Sequence, residues 1–99
     1  MSAVFTVVAP GTVRHHDGWI VHDFARWTIR YEAGGRLAMM AVDRDASQVV
    51  LYPDTLVWVV GGSGRLSPAH AALVSERIEL ALAALSDRLV SRSAGWGRR

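Results

Sequence analysis

Apolar residues in the first sixty positions come in short runs separated by turn residues. Val4–Val8 is largely β-branched and stops at Pro10-Gly11, the signature of a strand. Thr12–His16 and Trp19–Asp23 flank Asp17-Gly18, and Asp-Gly between two extended runs predicts a two-residue hairpin with His16 opposite Trp19. Trp27, Ile29 and Tyr31 alternate with Thr28, Arg30 and Glu32, which puts one apolar face on a strand. Gly34-Gly35 turns the chain into Leu37–Val42. Two more apolar runs follow, Val49–Tyr52 and Thr55–Val60, with Pro53-Asp54 between them.

Beyond residue 60 the period changes. Gly61-Gly62-Ser63-Gly64 reads as a loop, and Ser67-Pro68 as a helix start, with serine at the N-cap and proline in the first turn. Val74, Ile78, Ala81, Leu82, Leu85 and Leu89 recur at spacings of three and four and predict one helix from about Pro68 to Val90. Strands first and a helix last indicate an α+β fold. The expected architecture is an antiparallel sheet of five to six strands with one long C-terminal helix packed on one face. It forms a single domain over 1–90, with a disordered basic tail over 91–99.

Composition narrows the function classes. A chain of 99 residues supports one domain, and 51% hydrophobic against 20% charged residues excludes a disordered one. With no cysteine, disulfide scaffolds, thiolate metal sites and cysteine nucleophiles are all ruled out. All 11 basic residues are arginine and the net charge is only +2, an excess matched by Arg98 and Arg99. That near-neutral body lacks the basic footprint of a dedicated nucleic-acid binder. Leu56–Val60 is far shorter than the roughly 20 apolar residues a membrane helix needs. Val4–Val8 lacks the basic region that opens a signal peptide. A soluble cytoplasmic protein is the expectation.

The side chains that could carry chemistry do not converge in the sequence. Gly61–Gly64 sits between a strand and a helix, as a phosphate loop would, but without the lysine and Ser/Thr of a P-loop. His15, His16 and His22 lie close together without metal-ligand spacing, so they read as hairpin surface. Glu76 and Glu79 share a solvated helix face, and no GxSxG elbow is present. The expectation is therefore no enzyme, no cofactor and no metal. Leu37–Val42 and Thr55–Val60, in contrast, are apolar on both faces, as doubly covered strands are, while one helix covers one face. Either the N-terminal hairpin folds across the other face or another protein covers it, and the expectation is a protein partner or a second copy of the chain.

The stretch Val49-Val50-Leu51-Tyr52-Pro53-Asp54-Thr55-Leu56-Val57-Trp58, followed by Leu66-Ser67-Pro68 and Glu76-Arg77-Ile78, resembles small bacterial immunity proteins of polymorphic-toxin systems. Trp27-Thr28-Ile29-Arg30-Tyr31 and Arg36-Leu37 are similar to the family's earlier strands. The resemblance implies a non-enzymatic inhibitor that binds a cognate toxin and blocks it. Aromatics and arginines near strand ends are the expected contact residues: Trp19, Arg30, Tyr52, Trp58 and Arg65. The alternative is a homodimeric small-molecule-binding or regulatory domain.

Overall fold

A computed structural model of the chain describes residues 4–23, 25–86 and 88–93. The fold is α+β. The elements are β1 (Phe5–Ala9), β2 (Thr12–His15), β3 (Ile20–His22), β4 (Thr28–Ala33), β5 (Arg36–Arg44), β6 (Gln48–Val60), α1 (Pro68–Leu85) and β7 (Leu89–Arg92). All seven strands form one sheet whose spatial order follows the sequence. From β1 to β6 the strands are antiparallel, whereas β7 lies parallel to β6. Parallel neighbours need a crossover, and α1 provides it.

One face of the sheet holds the core. Val13, Val21, Ile29, Tyr31, Ala38, Met40, Val42 and Leu51 alternate with residues on the other face, as period two dictates. Helix α1 lies across them with Val74, Ile78, Ala81 and Leu82 buried. Its start is as read from sequence: the Ser67 hydroxyl accepts the His70 N–H at 3.2 Å, and Pro68 opens the helix. The helix meets β6 but also reaches β1, β2 and β7, so the sheet curls around it.

The sheet has seven strands, one of them parallel, where five to six antiparallel strands were expected, and three further features differ. First, the helix stops at Leu85 instead of continuing to Val90. The Ser86 N–H bonds the Leu82 carbonyl and the chain then turns extended. Leu89–Arg92 pairs with Gln48–Leu51, so Ser91 and Arg92 of the expected tail are strand; residues 94–99 lie outside the described residues. Second, the β2–β3 loop has three residues. His15 N–H bonds the Trp19 carbonyl and Gly18, at φ +105°, donates to the His15 carbonyl. His15, not His16, therefore faces Trp19.

Third, Val49–Tyr52 and Thr55–Val60 are one strand, β6. Residues 53–56 bulge against Met40, between the pairs Tyr52–Ala41 and Val57–Met39. A proline is tolerated there because the bulge requires no ladder donor. The Thr55 hydroxyl repairs the gap, accepting the Ala41 N–H at 2.8 Å and donating to the Tyr52 carbonyl at 2.7 Å.

Candidate interaction surface

The C-terminal half of β6 and the loop after it form the most developed surface feature. Trp58 packs its ring against the core side, edge-on to His70 in the first turn of α1 with ring centres 5.2 Å apart. The Arg36 guanidinium, at the start of β5, lies 3.7 Å from the centre of the Trp58 ring. Arg36 Nε also donates to the Gly61 carbonyl at 3.2 Å. The glycine loop makes this sandwich possible. Gly61 holds φ +77°, and a Cβ there would lie 2.8 Å from Arg36 Cγ. A Cβ on Gly62 would lie 3.1 Å from Trp58 Cγ.

The loop then returns along β6. Trp58 N–H bonds the Gly64 carbonyl, Arg65 bridges Val57, and Leu66 N–H bonds the Leu56 carbonyl. Val59 and Val60 are left 49% and 54% exposed. Arg65 is exposed, and its guanidinium has no side-chain partner among the described residues. On the other flank of this segment opens a cleft of about 530 Å³ with an apolar floor that includes Leu56, Leu66 and Ala71. Its charged rim is Asp54, Arg65 and Arg92. Glu79 grips Arg92 with two hydrogen bonds, at 2.5 and 2.9 Å, and holds its guanidinium above the ordinary arginine pKa. Among the described residues the unengaged rim charges are thus Arg65 and Asp54.

Of the five residues expected to contact a partner, only Trp58 and Arg65 meet at this surface. Trp19 is buried, its ring stacked on His15 at 4.6 Å with an interplanar angle of 9°. Tyr52 is buried as well, and its hydroxyl donates to Asp43 Oδ2 at 2.6 Å. Both are therefore structural residues and correct the expectation of exposed aromatics. Arg30 is exposed but lies on the face away from α1, opposite His22 and Met39. Arg36 was missed, since only the pairing of β5 with β6 brings it over Trp58. The alternating Val57, Val59 and the adjacent Val60 were the available signal for exposed apolar area.

The remaining sequence candidates resolve into structural roles. His15, His16 and Asp17 place their possible ligand atoms within 4.8 Å of one another. His15 Nδ1, however, already accepts the Asp17 N–H at 3.0 Å, so binding a metal there would break the turn that assembles the group. His22 lies apart, with its Nε2 3.2 Å from Glu32 Oε1. The glycine loop turns the Gly61 carbonyl toward Arg36 Nε. At the opposite end of the sheet, Arg44 pairs with Asp23 at 2.5 Å and donates to the Arg26 carbonyl at 2.9 Å.

Among the described residues no helix is long and apolar enough to cross a membrane. Comparison with known proteins finds no matching family, no similar curated protein and no similar solved structure.

Proposed function

We propose that this chain acts by occupying a protein partner and performs no turnover, in the manner of an immunity protein bound to its toxin. The observation that carries this reading is the Arg36–Trp58 stack, pinned by the glycine loop and flanked by Val59, Val60 and an unpaired Arg65. Tryptophan and arginine dominate interface hot spots, and a side chain already fixed in place loses little entropy on binding. Inhibition at nanomolar concentration requires about −12 kcal/mol, which a few such anchors in a polar rim can supply. The cations at this end favour a partner surface carrying carboxylates. Net charge is small, so association should depend only weakly on salt.

The test is co-expression in bacteria with a toxin domain encoded beside this gene. Survival should be lost with Trp58→Ala or with Arg36→Ala combined with Arg65→Ala, while circular dichroism stays unchanged. Full protection by folded variants of both kinds would refute the assignment of this surface. Catalytic conversion of a metabolite by the purified protein would refute the mode of action.

A second reading, the small-molecule-binding domain, is favoured by the cleft, where Arg65 and Asp54 stand unengaged over an apolar floor. It predicts thermal stabilisation by a small zwitterionic ligand, abolished by Arg65→Ala.

A further inference from the structure

β1 is one of the two edge strands of the sheet and, among the described residues, pairs only with β2. His16 N–H donates to the Val4 carbonyl at 2.9 Å, in the register that sets Phe5 opposite His15 and Thr6 opposite Arg14. Hydrogen-bonded and non-bonded pairs alternate along an antiparallel ladder. Val4 and Thr6 therefore spend their backbone groups on β2, and those of Phe5 and Val7 point away from the sheet. Sheets ordinarily protect such an edge with charge, proline or a bulge. Here the bulge and Pro10 come only after Val7. No charged residue occurs before Arg14, and Val7 is 61% exposed.

We propose that β1 pairs antiparallel with β1 of a second copy, across a two-fold axis at Thr6, joining two seven-stranded sheets edge to edge. The strand is its own complement in this register. Phe5 stands opposite Val7 of the second copy on both sides of the axis, and Thr6 stands opposite Thr6. Aromatic with β-branched and Thr with Thr are favoured cross-strand pairs. Each Phe5–Val7 pair exchanges two backbone hydrogen bonds and uses the outward groups of both residues. No like charges meet, and the contact is isologous, so it closes at a dimer. A foreign strand would find no charge on β1 to set its register, whereas the second copy matches it residue for residue. The Trp58 surface on β6 stays free, so this inference holds whether or not the proposed function does.

The overlap is short, so self-association should build up across the micromolar range in sedimentation equilibrium. Val7→Pro removes only an outward-pointing donor and spares the β1–β2 ladder. It should give a monomer with an unchanged circular dichroism spectrum. Thr6→Cys adds the chain's first cysteine. Opposed residues of a non-bonded pair have Cα atoms about 4.5 Å apart, within reach of a disulfide. Mild oxidation should cross-link Thr6→Cys at least ten times faster than a Ser63→Cys control in the exposed loop. If Val7→Pro fails to fold, this cross-linking ratio decides. A wild-type monomer at ~0.5 mM, a dimer persisting in folded Val7→Pro, or equal cross-linking of the two cysteine variants would overturn the proposal. So would a monomeric wild type whose Val7→Pro variant loses a protein partner, because the edge would then belong to that partner.

Discussion

Arg77 Nη1 in α1 donates a hydrogen bond to the Tyr31 hydroxyl of β4 at 2.5 Å, linking helix and sheet across 46 positions of sequence. The same guanidinium carbon lies 5.3 Å from the centre of the Trp19 ring. Tyr31 is buried, and a buried phenol needs a partner for its oxygen. The arginine supplies it from a position where its own charge still reaches the protein surface.

Tyr31→Phe removes the acceptor and leaves an arginine donor aimed at an apolar ring. Hydrogen bonds to charged groups contribute about 1.5–3 kcal/mol, so unfolding by urea should show a loss in that range. Unchanged stability would mean that water replaces the hydroxyl without cost.

Ser75 carries the opposite expectation. It is fully buried in α1, and its Oγ has no hydrogen-bond partner among the described residues. A buried unsatisfied hydroxyl costs about 1–3 kcal/mol, and alanine is the better helix former. Ser75→Ala should therefore raise the thermal midpoint. A lower midpoint would show that the hydroxyl has a role in packing.

Ile78 and Glu79 are neighbours in sequence with different surroundings. Ile78 is fully buried against the sheet, and Ile78→Ala should cost about 2–5 kcal/mol. Glu79 is partly exposed and holds Arg92 of β7. Glu79→Ala should cost at most about 1 kcal/mol globally, while amide exchange in Leu89–Arg92 speeds up. Equal global losses would rule out this placement of the helix.

The two aspartates Asp23 and Asp45 should titrate on opposite sides of the usual 3.8. Burial raises Asp23, against the pull of Arg44. Its folded pKa exceeds its unfolded one, so its contribution to stability is fully present below 3.8 and lost as pH rises through the folded value. Asp45 is lowered because its carboxylate accepts the Ser47 N–H and hydroxyl and the Gln48 N–H. Its contribution is present above 3.8 and lost as pH falls through the folded value. Carboxyl carbon NMR titration reads both midpoints directly, and two midpoints on the same side of 3.8 would contradict this account.

Gly61→Ala places a Cβ 2.8 Å from Arg36 Cγ at a φ of +77°. The left-handed conformation costs a non-glycine residue about 1–2 kcal/mol, and Arg36 must also move off Trp58. Thermal unfolding should show that loss, and tryptophan emission should change as the stack opens. Gly64→Ala has a similar φ of +76° with open space around it, so it should destabilise without disturbing the stack.

Of the candidate surface, Trp58 and Arg65 were legible in sequence because an apolar strand followed by a glycine loop marks a strand end. Arg36 was not, because it reaches Trp58 through the long-range pairing of β5 with β6. Trp19 and Trp27 have similar local settings, yet one is buried and the other exposed. Both share the parity of buried strand residues, Trp19 with Val21 and Trp27 with Ile29, but Trp19 packs against Phe5, His15 and Tyr31 whereas Trp27 lies just before the first residue of β4 with Arg26 over its ring. Phe5 and Tyr31 reach Trp19 from at least twelve positions away in sequence, so no local pattern records that burial.

By itself the sequence determined the strand runs before residue 60, the glycine turns, the Ser67-Pro68 helix start and the buried stripe through Ile78 and Leu82. Those features follow from backbone sterics and side-chain period, which are local. Tertiary structure alone decided that Leu89 leaves the helical pattern it continues and joins β7. The free edge of β6 at Gln48–Leu51 offers that segment backbone hydrogen bonds, and Glu79 offers Arg92 a charge partner. Both partners lie at least ten residues away in sequence, so only the folded chain brings them within reach.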